Sequence, residues 1–117
     1  KRAIGCALEV HRHLGPGLLE SAYAACLAYE FQQQGIHYHK EYPLPVVYKQ
    51  VQLDCGYRLD FLVEDALIIE LKSVENLLPI HEAQLLSYLK LSQKRVGLLI
   101  NFNERMLKDG IKRMVMG

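Results

Sequence analysis

The chain has 117 residues, of which 50% are hydrophobic and 23% charged, with a formal net charge of +1. This composition excludes a disordered or fibrous polymer, and the length suits one domain, residues 1–117, with a single real core. No apolar run reaches the roughly 20 residues of a membrane span. No signal-peptide pattern is visible, and because the chain begins with Lys1 rather than Met, a few residues are expected upstream. Cys6, Cys26 and Cys55 are an odd number without C-x-x-C spacing, which gives neither a disulfide framework nor a zinc knuckle. They fit small core or half-buried residues in a reducing cytoplasm.

Residues 2 to 13 (RAIGCALEVHRH) read as a helix, with Ile4, Ala7, Leu8 and His11 at i, i+3, i+4, i+7 spacing. The GPG at Gly15 to Gly17 breaks it; LGPG lacks the G-K-[ST] ending of a phosphate loop and is a turn. A longer helix is predicted from Leu18 to about Gln34, stopped by Gly35, with Leu19, Ala22, Tyr23, Cys26, Leu27 and Glu30 facing inward. The period then changes. PLPVVYKQ (Pro43 to Gln50) reads as a strand at a sheet margin, and GYRLDFLV and ALIIELKSV as the next two. Pro79 opens a third helix over residues 80–92. RVGLLINF is almost wholly apolar, as a central strand would be, and a short basic helix is predicted near residues 104–115. The order α-α-β-β-β-α-β-α argues a mixed α/β sandwich, a sheet flanked by helices.

Charge is unevenly spread. Residues 1–89 carry 7 Lys/Arg against 11 Asp/Glu, whereas residues 90–117 carry 7 Lys/Arg against Glu104 and Asp109. A basic tail beside an acidic body suits a polyanion held by one and a cation by the other; the competing reading is a solvated helix face.

The acidic interruptions of two apolar strands are the strongest chemical signal. Strand alternation puts Arg58 and Asp60 on one face with Tyr57, Leu59 and Phe61 on the other; Ile68, Glu70 and Lys72 likewise oppose Ile69 and Leu71. If Glu64, Asp65 and Ala66 form a three-residue loop, Asp60 faces Glu70, with their Cβ atoms roughly 5 Å apart. A two-residue loop sends the two carboxylates to opposite faces, and only the first register makes a site. Two carboxylates that close repel unless a proton or a cation neutralises them. Hard oxygen ligands favour Mg²⁺ or Mn²⁺. Lys72 stands roughly 7 Å along the same face, within reach of a phosphate. The competing reading is a Lys72–Glu70 ion pair on an exposed face, against which the apolar LIIELK context argues.

GLLESAY (Gly17 to Tyr23), GYRLDFLVED, LIIELKSVE, HEAQLLSYLKL and VGLLINF together resemble the GxxExxY protein family, within the PD-(D/E)XK nuclease-like superfamily. The resemblance runs over nearly the whole chain. It implies a restriction-endonuclease-like α/β core, α-β-β-β-α-β, with a central mixed four-stranded sheet flanked by helices. It implies that Asp60 and Glu70 ligate Mg²⁺ or Mn²⁺, that the Leu71 carbonyl contributes a further ligand, and that Glu20 sits in the inner or outer metal shell. Lys72 would orient the attacking water and help stabilise the phosphorane, while Gln84 and Tyr88 match the superfamily's Q-x-x-x-Y element and would point toward the site. Asp60 follows Leu59 rather than the proline of the superfamily's name.

Among the remaining residues, Glu20 and Tyr23 share a helix face, where a first-turn glutamate also suits the helix dipole. His81, Gln84 and Tyr88 form a polar stripe on the third helix, readable as a helix edge or as site residues; His81 could contact phosphate. His37 and His39 alternate as on a strand, but no cysteine or acidic partner has matching spacing, so no zinc site is expected. The reading that follows is a hydrolase: a metal-dependent nuclease acting on nucleic acid, with DNA the expected polymer, in the cytoplasm and without membrane contact. The alternative is a catalytically silent nuclease-like module that binds nucleic acid or a protein partner. A purely structural domain would leave three buried-looking charges without a ligand. At this size, specificity is expected to need a homodimer or another protein.

Overall fold

The computed structural model describes residues 2–117; Lys1, the first residue of the expected domain, lies outside the described residues. In chain order the elements are α1 (Arg2–Leu14), α2 (Glu20–Gln33), β1 (Tyr38–Pro43), β2 (Val46–Tyr48), β3 (Val51–Leu53), β4 (Arg58–Val63), β5 (Leu67–Lys72), α3 (Pro79–Ser92), β6 (Val96–Asn101), a 3₁₀ turn (Leu107–Gly110) and β7 (Ile111–Val115). Five strands form one mixed sheet in the order β1-β4-β5-β6-β7, while β2 and β3 pair as a separate hairpin. Only β5 and β6 run parallel; α3 is the crossover that joins them, as a parallel pair requires.

The sheet lies between two helical layers. Tyr23, Leu27 and Phe31, four residues apart along α2, are fully buried with Ala3, Ala7 and Val10 of α1 against Phe61, Ile69, Leu71 and Ile100. On the opposite face, Leu85, Tyr88 and Leu89 of α3 pack on Leu59, Leu62, Ile68 and Leu99. Leu98 and Ile100 belong to one cluster and Leu99 to the other, so β6 is covered on both sides, which explains its unbroken apolar run. At Gly97 a Cβ would come within 2.9 Å of Leu85, so α3 is seated closely on this strand. No helix among the described residues is long and apolar enough to cross a membrane.

The α-β-β-β-α-β succession is present as α2-β1-β4-β5-α3-β6, with three local corrections. The strand expected over Pro43–Gln50 does not exist as one piece. Pro43 ends β1, and Lys49 and Gln50 turn with φ of 48° and 70°, folding Val46–Leu53 into its own hairpin. The strand beside β4 is instead Tyr38–Pro43. The expected basic helix at residues 104–115 is a 3₁₀ turn followed by β7, giving five strands rather than four. Its cause lies in β6, whose outer edge needs a hydrogen-bonding partner, and in Gly110, where a Cβ would sit 2.5 Å from the Asn101 carbonyl. Finally, α2 begins at Glu20, and Leu19, expected inward, is 75% exposed in the preceding loop.

Candidate active site

The β4–β5 turn decides the geometry. Ala66 N–H donates to the Val63 carbonyl at 3.0 Å, with Glu64 and Asp65 both at positive φ. Val63 pairs with Leu67, Leu62 with Ile68 and Phe61 with Ile69. This is the three-residue register, and it brings Asp60 opposite Glu70. There the backbone ladder stops. Asp60 N–H donates to Glu70 Oε2 at 2.8 Å, and Leu71 N–H donates to Asp60 Oδ2 at 2.8 Å. Two carboxylates have taken the place of backbone acceptors, so the strands fork while β5 stays paired to β6 as far as Lys72 and Asn101.

The fork also disturbs side-chain alternation. Leu59 packs in the α3-side cluster and Phe61 in the α1/α2-side cluster, so they do not share the face that strict alternation assigned them. On the other flank, β1 pairs Lys40 with Phe61 and Tyr42 with Leu59, and the intervening Glu41 takes a φ of 55°.

Electrostatics at the fork are those of anions short of water. Glu70 is only 7% exposed; burial and then the Asp60 charge push its pKa up to about 8, against the Asp60 N–H and the Lys72 ammonium. Burial likewise raises Asp60, opposed by the Leu71 N–H and reinforced by Glu20. Tyr88, buried on α3, is raised by burial and then by Glu70, which keeps its phenol a neutral donor. Its ring meets Tyr57 at 5.9 Å.

Each residue singled out in the sequence has a definite place. Lys72 is half-buried and forms no ion pair within 4.0 Å among the described residues, so the competing Lys72–Glu70 bridge is not made. Glu20 opens α2, exposed, on the rim of a recess of about 290 Å³ that it shares with Ser21, Lys40, Glu41, Asp60 and Leu71. Glu20 is positioned through Tyr23. That hydroxyl donates to the Gly15 carbonyl at 2.6 Å and accepts from Leu18 N–H at 3.1 Å, while the ring stacks on Phe102. Ser73, just past β5, donates to the Leu18 carbonyl at 2.6 Å and ties the same loop to the site strand. Gln84 is exposed on α3, and no hydrogen bond to it is formed among the described residues. His81 serves the helix instead: its Nδ1 accepts from Leu78 N–H at 3.0 Å, and its own N–H donates to the Leu78 carbonyl.

Sequence reasoning missed Glu41 and Lys40 because it missed their strand, whose residues after Tyr38 are exposed and give little apolar alternation. It also missed Asn101, fully buried, whose side chain accepts from Val74 N–H at 3.1 Å and donates to the Val74 carbonyl at 2.9 Å. This clamp holds the chain leaving Lys72. The basic segment proves to be divided: Lys94 and Arg95 precede β6 at the turn end of the sheet, whereas Arg105 and Lys108 follow it at the Lys72 end.

The fork fits a hard divalent cation. Asp60 and Glu70 are each anchored through one oxygen, and no hydrogen bond among the described residues reaches Asp60 Oδ1 or Glu70 Oε1. No buried side-chain polar atom among the described residues lacks a partner, so neither oxygen is sealed from solvent. Glu20 stands farther out, because no set of three mutually close ligating atoms includes it with this pair. The family model for the PD-(D/E)XK nuclease superfamily matches residues 1–114. No curated protein and no solved structure gives a significant match.

Proposed function

Because the chain belongs to the PD-(D/E)XK nuclease superfamily, we propose that it hydrolyses phosphodiester bonds of nucleic acid, DNA by preference, and that its narrower kinship is with the GxxExxY group. The observation that carries this reading is the fork itself: two carboxylates fixed by backbone N–H groups, each with one oxygen left without a hydrogen bond, beside a lysine on the same strand that makes no ion pair among the described residues.

Asp60 and Glu70 would hold Mg²⁺ or Mn²⁺, with the Leu71 carbonyl as a further ligand and Glu20 in the outer shell. When bound, the cation supplies Lewis-acid stabilisation of phosphate charge and makes water a better nucleophile. The Lys72 ammonium, not consumed by an ion pair, donates to a phosphate oxygen and orients the water that attacks phosphorus. The P–O ester bond breaks as the new one forms, and the leaving oxygen takes up a proton. Tyr88 borders Glu70 as a neutral hydroxyl donor, and Gln84, one turn earlier on α3, reaches the polymer rather than the fork. Arg105 and Lys108 hold the backbone by counterion release, without sequence preference. The working compartment is the cytoplasm, and residues 1–117 act as one domain, alone or as a homodimer.

The test is cleavage of plasmid, single-stranded DNA and RNA with Mn²⁺ or Mg²⁺, with Lys72→Ala alongside. Metal-dependent cleavage that disappears in the variant, at unchanged melting temperature, is expected. Equal cleavage by the variant overturns the assignment of Lys72. A folded, metal-binding wild type that cuts nothing overturns the nuclease and leaves a binding module.

A further inference from the structure

We propose that His37, His39 and Asp65 form a second metal site, for a borderline cation of the zinc type, which fastens the edge strand β1 to the β4–β5 turn. One ligating atom from each lies within 4.8 Å of the other two, and His39 Nε2 is already 3.9 Å from Asp65 Oδ1. The acidic partner that sequence spacing did not supply comes from 26 residues away, through the pairing of β1 with β4.

Three features set this cluster apart from a chance gathering of surface side chains. The first is the state of the imidazoles. Of the five histidines, His11 contacts the Glu104 carbonyl, His13 contacts Glu9 and His81 caps α3. The rings of His37 and His39 make no hydrogen bond among the described residues, and they meet edge to face at 5.0 Å.

The second is the backbone. His37 N–H donates to Glu64 Oε2 at 2.7 Å, and Glu64 N–H donates to the His37 carbonyl at 2.9 Å. This reciprocal clamp fixes the start of β1 against the turn that carries Asp65. The third is scale. Donors at about 2.0–2.1 Å from a tetrahedral ion stand roughly 3.3 Å apart, so no pair need close by more than about 1.5 Å. Exposed side chains cover that by rotation, without backbone movement.

Ligand chemistry separates this site from the fork. Two imidazoles and one carboxylate select Zn²⁺, Co²⁺, Ni²⁺ or Cu²⁺ over Mg²⁺, whereas the fork offers oxygen alone. The two lie about 10 Å or more apart along the hairpin, given the strand rise between Asp60 and Val63. Three protein ligands leave a fourth position for water. The site does not depend on the nuclease reading.

The untagged, metal-stripped chain would be titrated with Co²⁺ and followed by its visible ligand-field bands, with Zn²⁺ competition and melting curves. Wild type and Glu70→Gln are expected to show the same tetrahedral Co²⁺ spectrum, resistant to excess Mg²⁺. His39→Ala and Asp65→Asn are expected to lose affinity by about tenfold or more while keeping the wild-type circular dichroism. Wild-type affinity in both variants, displacement by Mg²⁺, loss in Glu70→Gln, or no tetrahedral spectrum in the wild type overturns the proposal.

Discussion

Glu70→Gln isolates the cost of placing a carboxylate in the β4–β5 fork. In the metal-free protein the Glu70 pKa rises from 4.5 to about 8. Below pH 4.5 the carboxyl is protonated in both folded and unfolded chains and contributes no difference. Between 4.5 and 8 the unfolded chain releases the proton while the fold retains it, so stability falls as pH rises; above 8 the loss is complete. At about 1.4 kcal/mol per unit, the full window amounts to about 5 kcal/mol. That is a large share of the roughly 5–15 kcal/mol that holds a domain folded, and on the order of 15 °C in melting temperature. Burial also raises Asp60, which adds a loss of the same sign. Glutamine keeps an oxygen for the Asp60 N–H but cannot ionise. Its melting temperature, measured in chelator from pH 5 to 8.5, should decline less than that of the wild type, keeping only the Asp60 share, the two curves separating most at high pH. Mn²⁺ should stabilise the wild type more at pH 8 than at pH 5.5, because it binds the ionised form, and should do little for the variant. A wild-type curve that is flat or rises with pH, or a variant with the same decline, would refute the reasoning.

Three further outcomes follow from the contacts around the fork. Tyr23→Phe keeps the stack on Phe102 but removes both hydroxyl bonds to the Gly15–Leu18 loop, at a cost of about 1–2 kcal/mol in urea unfolding. Cleavage should fall by more than that loss of stability accounts for, since Glu20 follows the loop. Asn101→Ala strands the Val74 and Asn103 amides in a part-buried setting and leaves the Val74 carbonyl with the Asn103 side chain as donor, costing about 2–4 kcal/mol by the same measurement. Arg105→Ala with Lys108→Ala should flatten the logarithmic salt dependence of single-strand binding by roughly 1–2, whereas Lys94→Ala should leave it unchanged. An unaltered slope removes the Lys72 end of the sheet from the nucleic-acid path.

What was legible in the sequence had a local cause. The fork residues were readable because a charge inside an apolar strand is visible without a partner, whereas the register hung on the length of one turn, which stayed open between two and three residues until the fold decided it. The α2 stripe was readable at Tyr23 and Leu27 but did not extend to the buried Phe31 and was misjudged at Leu19, since periodicity does not locate a helix start and no side chain caps this one. β1 was missed because its residues are exposed after Tyr38, leaving little apolar alternation; pairing with β4, not burial, makes it a strand. β7 was read as a helix because its charges suited a solvated face, whereas the free edge of β6 recruits it. Asn101 and, in the proposed second metal site, Asp65 were illegible for a common reason: their partners lie 26 to 28 positions away and are brought near only by the sheet.

The missing Lys72–Glu70 bridge bears on why the fork holds two acids and one base in so little space. An ion pair there would have lowered the Glu70 pKa and steadied the metal-free fold, but under the proposed function it would have spent the negative charge that attracts a cation and the ammonium that meets a phosphate. Each acid instead uses one oxygen to hold a backbone N–H, which fixes its direction, and keeps the other open. The instability this creates is carried by the apolar clusters on both faces of the sheet, where Phe61, Ile69, Leu71 and Leu99 are buried within a residue or two of the carboxylates or beside them on β6. The apolar runs that surround Asp60 and Glu70 in the sequence are therefore part of the site's chemistry as well as of its scaffold.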